Sequence, residues 1–185
     1  MTEAGTEGGS ALRPNLATVA AAVSGDVLAQ HTLVEAVWPD AYHLALTILR
    51  NPVAAEDVAQ EVAVILLRSI RQLADPGAFN SWFYRIVTRE SLHELKRRPS
   101  EEPTAPRQGQ VADAEDRAAF TIAFGALSTM ERTVVVLHYH YGFTSREIAR
   151  LVSRPAGTVR YHLVMARRHL RAALGETLGG DENHA

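Results

Sequence analysis

Residues 99–110 read PSEEPTAPRQGQ, with three prolines and no large apolar side chain. Proline fixes φ and removes a backbone donor, so neither a helix nor a central strand can pass through such a run. The chain must therefore fold as two parts, one before this stretch and one of about 60 residues after it, each near the small end of the usual domain range. A 46% hydrophobic share is enough to give both parts a core. The absence of cysteine excludes a disulfide scaffold, a Cys-ligated zinc or iron–sulfur site and thiol catalysis. No segment approaches the roughly 18–20 apolar residues that span a bilayer. Met1–Ser10 carries no basic residue, unlike a secretory leader. The expectation is a cytoplasmic protein without membrane insertion.

Both parts read as helical. Ala-, Leu-, Val- and Arg-rich stretches are punctuated by Gly and Pro at their ends, and no stretch sustains a period-2 alternation. Before the prolines the pattern predicts a short helix at about Leu16–Val23 stopped by Ser24-Gly25. A second follows the cap Asp26 and runs to about Leu49. A third starts at Asn51-Pro52, a cap followed by proline in the first turn, and reaches about Leu73. The fourth covers about Ser81–Arg98, with Phe79 and Asn80 in the loop before it. On the third helix Val58, Val62, Ile65, Leu66, Ile70 and Leu73 form an apolar stripe, while Asp57, Gln60, Glu61, Val64 and Arg68 fall on another face suited to docking a protein. On the fourth, Trp82, Phe83 and Ile86 can pack inward, and Arg85, Arg89, His93, Lys96 and Arg97 recur at three- and four-residue steps. Basic side chains interleaved with aromatics suit single-stranded nucleic acid, whose phosphates need cations and whose bases need stacking partners.

After the prolines, Thr144-Ser145-Arg146-Glu147 fits a capping box, and Gly142 before it can close the preceding helix. The short run Thr133–Leu137 could be a strand in isolation but lies within a longer helical pattern. Ser153-Arg154-Pro155 breaks the chain after a short helix, and a new helix runs from Ala156 to about Leu174. Val159, Leu163, Ala166 and Leu170 form its inward stripe. Thr158, Arg160, Tyr161, Val164, Arg167, Arg168 and Arg171 lie off it. A short helix, a tight turn and a basic second helix make a helix-turn-helix, whose second helix enters the major groove. Charge follows the same division. Residues 1–66 carry eight acids and two bases, whereas residues 144–174 carry seven arginines and one acid. The two ends are thereby suited to different partners.

The segments AEDVAQEV (residues 55–62), WFYRIV (82–87), EIA (147–149) and GTVR (157–160) resemble, in order and spacing, regions 2 and 4 of bacterial RNA polymerase sigma factors of the extracytoplasmic-function group. The resemblance covers about Asp26–Leu174. It implies an all-α protein of two small helical domains joined by a flexible linker: an N-terminal extension with a short helix (1–25), region 2 (26–98), a linker (99–112), region 4 (113–174) and a flexible tail (175–185). It implies that Asp57, Gln60, Glu61 and Val64 dock on the β′ clamp of the polymerase core. Phe79, Asn80, Trp82, Arg85, Arg89, Lys96 and Arg97 would bind and open the −10 element. Arg154, Thr158, Arg160, Tyr161, Val164, Arg167 and Arg168 would bind the −35 element. An anti-sigma factor is the further expected partner, and no cofactor or metal is expected. The chain departs from the family pattern at Arg89, where Asn is usual, at His93, where Asp is usual, at Ala63 in place of a large apolar residue, and at His162 in place of Arg.

Two other readings keep the DNA-binding end but change the role: a helix-turn-helix transcription regulator, or a sigma mimic that captures an anti-sigma protein. The first needs a sensing domain, and the N-terminal half lacks the alternating strand and helix pattern of a receiver. A metal enzyme using His138, His140, His162 and His169 is disfavoured, because His138 and His140 stand two apart on a helix and face different ways. No nucleophile triad or phosphate-cradling glycine loop occurs, so an enzyme is not expected.

Overall fold

The computed structural model describes residues 14–97 and 114–174, which are helical with no strand among them. The linker, the tail and the start of the N-terminal extension lie outside the described residues. The chain divides into two compact units, residues 1–105 with 150–152 and residues 106–149 with 153–185. No helix of the described residues is long and apolar enough to cross a membrane.

The first unit contains α1 (Leu16–Ser24), α2 (Val27–Leu49), α3 (Pro52–Ser69) and α4 (Phe79–Arg97). Each boundary has a local chemical cause. Asn15 Oδ1 accepts from Ala17 N at 2.9 Å and starts α1. Gly25, at φ 101, ends it in the left-handed conformation that glycine adopts without a Cβ clash, and Asp26 N donates back to Ala21 O at 3.0 Å. Asp26 then caps α2 through Ala29 N. Asn51 Oδ1 accepts from Val53 N and Ala54 N at 3.0 and 3.1 Å and caps α3, with Pro52 in the first turn where its missing N–H costs nothing. The predicted end of this helix near Leu73 is corrected: α3 stops at Ser69 and the chain continues as a 3-10 turn, Ile70–Gln72.

α2 packs on α1, α3 and α4, and α3 on α4. The predicted stripe of α3 is the inner one, with Val58, Val62, Leu66 and Ile70 all buried. Leu33, Leu44, Ile48 and Phe83 complete the core, each burial supplying about 1.5–3 kcal/mol. Tyr84 Oη donates to Asp40 Oδ2 at 2.8 Å and gives α4 a polar tie to α2.

The second unit contains α5 (Ala114–Ala126), α6 (Thr129–Val135), α7 (Ser145–Leu151) and α8 (Ala156–Leu174). Ser128 and Glu131 form a reciprocal capping box at the start of α6. The β-branched run Thr133–Leu137 is helical as expected, but α6 widens into a π-helical turn at Val136–His140, which the sequence pattern did not disclose. Gly142 follows at φ 73, and Phe143 N donates to Leu137 O at 2.9 Å, closing that end. α8 packs on α5 and α6 through Val159, Leu163 and Ala166, all buried, while Leu170 is half-buried.

Candidate nucleic-acid and partner interfaces

The helix-turn-helix is built from two capping devices. Thr144 N donates to Glu147 Oε2 at 2.8 Å and Glu147 N to Thr144 Oγ1 at 3.3 Å, so the predicted capping box is present. The Thr144 hydroxyl also donates to Glu147 Oε2 at 2.7 Å. At the other end of α7, Ser153 takes φ 53 and Arg154 N donates to Ala149 O at 2.9 Å. That is the six-to-one bond of a Schellman closure, with serine where glycine is usual. Ahead of α7, the His138 ring donates through Nδ1 to Phe143 O at 2.8 Å and anchors the approach to the cap.

Behind these caps α8 carries Arg160, Val164, Arg167 and Arg171 at helical spacing on one exposed side, with Tyr161 and Arg168 beside them. Arg154 is exposed in the turn, and Thr158 is half-buried. None of these arginines has an ion-pair partner among the described residues. A row of unneutralised guanidinium groups with an aromatic and a small apolar side chain among them can meet both phosphates and base edges.

In the first unit, Asp57, Gln60 and Glu61 are exposed on α3 as expected, and Val64 is 38% exposed. Two residues missing from the expected set extend this face: Val53, 66% exposed, and Leu67, 45% exposed. Steps of four, three, four and three along 53, 57, 60, 64 and 67 keep them on one side of the helix. The result is a surface that mixes acidic, polar and apolar side chains, which a partner protein can cover.

On α4, Arg85, Arg89, His93, Lys96 and Arg97 are all exposed. Arg89 is held by Glu90 at 2.7 Å and Arg97 by Glu94 at 2.8 Å, whereas Arg85 and Lys96 have no ion-pair partner among the described residues. The aromatic assignments change. Phe79 is not a loop residue: it is the first residue of α4, 2% exposed, with its ring stacked on Phe83 at 5.8 Å. A side chain buried in this way cannot also accept a base in this conformation, so Phe79 is removed from the −10 set. Trp82 is half-buried at the edge of the basic side, its ring 5.9 Å from Phe79, and Asn80, likewise expected in the loop, is a half-buried residue of the first turn of α4. Phe79 alone thus changes role while Trp82 keeps its place in the set, because α4 begins two residues earlier than its polar residues imply.

No group of three or more metal-ligating side chains comes together among the described residues. The geometry defines a two-unit helical protein with a helix-turn-helix in one unit and a mixed acidic and apolar helix face in the other. The sigma-70 region 2 model matches residues 33–100, and the sigma-70 region 4 model matches residues 117–170. The chain belongs to the sigma-70 family, in its extracytoplasmic-function group.

A probable RNA polymerase sigma factor RfaY of Xanthomonas campestris is 29% identical over 147 residues, covering 71% of this chain and 36% of the relative. The ECF RNA polymerase sigma factor SigE of Mycolicibacterium smegmatis is 30% identical over 150 residues, covering 73% of this chain and 57% of the relative. The chain therefore spans less than two thirds of either. The sigma factor SigV of Bacillus subtilis is 26% identical, with 84% of its length covered and 73% of this chain. Two solved structures share the fold. The sigma factor RpoE of Bartonella quintana, in complex with the anti-sigma factor NepR, superposes with a TM-score of 0.66 at 19% identity, over 80% of this chain and 97% of that one. CnrH, in complex with the cytosolic domain of CnrY, gives 0.63 at 23% identity, over 86% and 96%.

Proposed function

We propose that the protein is an alternative sigma factor: it binds the RNA polymerase core and directs transcription initiation from promoters carrying its own −35 and −10 elements. The observation that carries this reading is the unpaired arginine side of α8 behind the Thr144–Glu147 box, on a chain whose other unit presents the α3 face. In this reading α8 enters the major groove, with Arg160, Tyr161 and Val164 at base edges and Arg154, Arg167 and Arg168 on phosphates. The α3 face docks on the polymerase clamp. The α4 side, with Arg85, Arg89, Lys96 and the edge of Trp82, holds the opened strand. The protein's contribution is binding and positioning, not bond chemistry.

An anti-sigma factor as a further partner is supported by the structural neighbour RpoE, which was solved with the anti-sigma factor NepR. Run-off transcription with purified core enzyme on a genomic promoter library tests the whole reading. Specific transcripts that require the protein are expected. Core binding without any transcript would favour a sigma mimic, and DNA binding without core binding an ordinary regulator.

A further inference from the structure

The exposed basic residues of α4 are not alike. Arg85 and Lys96 have no ion-pair partner among the described residues, and as free cations they suit phosphates. Arg89 differs. Its Nε donates to Glu90 Oε1 at 2.8 Å, and its Nη2 lies 2.7 Å from the same oxygen. The Arg89 side chain is nonetheless 65% exposed, against 19% for Glu90. Consecutive residues on a helix do not face each other, so the arginine leans across its own turn to reach this carboxylate. We propose that Glu90 is a positioning residue, and that Arg89, held by it, reads a base of the opened −10 strand that offers two adjacent acceptors. Guanine does so through O6 and N7, cytosine through O2 and N3. The inference rests on the reading of α4 as the surface for the opened strand.

Charge and donor geometry favour a base over a phosphate at Arg89. A guanidinium carries its N–H donors in a fixed planar fork. Glu90 takes the edge formed by Nε and Nη2, which leaves the edge formed by Nη1 and Nη2, one parallel pair of N–H groups directed away from the carboxylate. The charge of Arg89 is compensated by Glu90, and a carboxylate this close repels a phosphate, so a backbone contact gains little here. A neutral pair of acceptors meets the same fork without that penalty. Adenine sets each acceptor of its pairing edges beside a donor, and thymine separates its two carbonyls by an N–H, so neither fills the fork. Exposure leaves the free edge open to the strand, and holding the fork in advance lowers the ordering cost of the contact. Trp82 stands two turns earlier on the same side of the helix, half-buried, in place to stack a neighbouring base.

Transcription by the full-length protein with core polymerase, from promoters whose −10 segment is randomised, tests the assignment. With the wild-type protein, one position of the opened strand is expected to favour guanine or cytosine about tenfold over adenine or thymine, within the range of one bidentate pair. Where the base is guanine, 7-deazaguanine, which lacks N7, should lose the advantage. Arg89→Lys keeps the charge but not the fork and should flatten that position. Glu90→Gln should flatten it too. By freeing the Arg89 charge it should also steepen the salt dependence of holoenzyme binding to a premelted promoter, by up to about 0.7 in the slope of log K against log salt. An ion pair that only supported the helix would change stability without this exchange of specificity for salt-dependent affinity. Coinciding base profiles for wild type and Arg89→Lys, or a position that Arg89 fixes as adenine or thymine, would overturn the proposal and leave the sigma reading intact. Absence of any specific transcript with the wild-type protein would overturn that reading and the proposal with it.

Discussion

His169 Nδ1 lies 3.2 Å from Glu131 Oε1, joining α8 to the first turn of α6. The other carboxylate oxygen of Glu131 accepts from Ser128 N at 2.8 Å, so one buried side chain serves both as helix cap and as interhelical tie. Burial pushes the Glu131 carboxyl up. The hydrogen bonds from the Ser128 backbone and hydroxyl and the His169 ring outweigh it, and the net effect holds the group below the ordinary glutamate value. A carboxylate depressed in the folded state contributes stability that is present above its unfolded pKa, about 4.3, and lost as pH falls through the folded value. Glu131→Gln is therefore expected to destabilise the protein by about 1–2 kcal/mol at neutral pH. The deficit should shrink as pH falls from about 4.3 through the lower folded value, as first the unfolded and then the folded carboxyl takes up a proton. Urea unfolding at several pH values checks this, and a deficit independent of pH would contradict it.

The different burial of Phe79 and Trp82 separates stability from function. Phe79→Ala should cost about 3–5 kcal/mol, as for a buried ring. Trp82→Ala should cost clearly less in stability and act instead on promoter opening. Thermal unfolding together with permanganate footprinting of the −10 region distinguishes the two. An exposed functional Phe79 would give the reverse pattern.

Ser153 adopts a left-handed φ that costs a residue with a Cβ about 1 kcal/mol or more. Ser153→Gly is expected to raise stability by up to about 1 kcal/mol while leaving the affinity for promoter DNA unchanged. A loss of stability on this change would mean that the serine side chain contributes something its backbone geometry does not reveal.

The α3 face makes a prediction from residues that charge patterning passed over. Val53 and Leu67 are exposed apolar side chains in line with Asp57, Gln60 and Val64. Leu67→Ala should barely change stability but weaken binding to core polymerase by about tenfold, the loss expected when a contact worth roughly 1.4 kcal/mol is removed. Charge reversal at Asp57 and Glu61 should weaken it as well, while the isolated protein still binds −35 DNA. Titration of labelled protein with core enzyme measures both, and unchanged core affinity in both variants would remove α3 as the interface.

The caps show why so much of this molecule is legible in its sequence. Asp26, Asn51 and the Thr144–Glu147 pair act within three residues of themselves, so their chemistry is written locally and each is found where the pattern placed it. The inner stripes of α3 and α8 are equally local, because period and burial coincide. The features that escaped depend on packing at a distance. The burial of Phe79 follows from where α4 docks, not from the residues around it. The π-helical turn at Val136–His140 has no side-chain signature of its own. The Glu131–His169 pair stands 38 positions apart. Val53 and Leu67 were passed over because apolar residues are assigned inward by default, although an interface requires some to face out.

Arg160 and Arg168 are both exposed on α8, yet they are expected to fail differently. Arg160 stands in the second turn, at the end of α8 that would enter the groove in the proposed function, where a guanidinium can pair bidentately with guanine O6 and N7. Arg168 stands about two turns later, roughly 12 Å along the axis, where in the proposed docking the helix leaves the bases and faces the backbone. Arg160→Ala should cost about 1–3 kcal/mol on the preferred site and relax the preference at one base position. Arg168→Ala should weaken binding to every sequence alike and lower the slope of log K against log salt by about one unit. Binding-site selection with both variants, followed by salt titration on the selected and on a random duplex, separates base reading from phosphate holding. A selected-site profile for Arg160→Ala identical to wild type at every position would assign base reading to Tyr161 or Thr158 and leave Arg160 as one more phosphate contact.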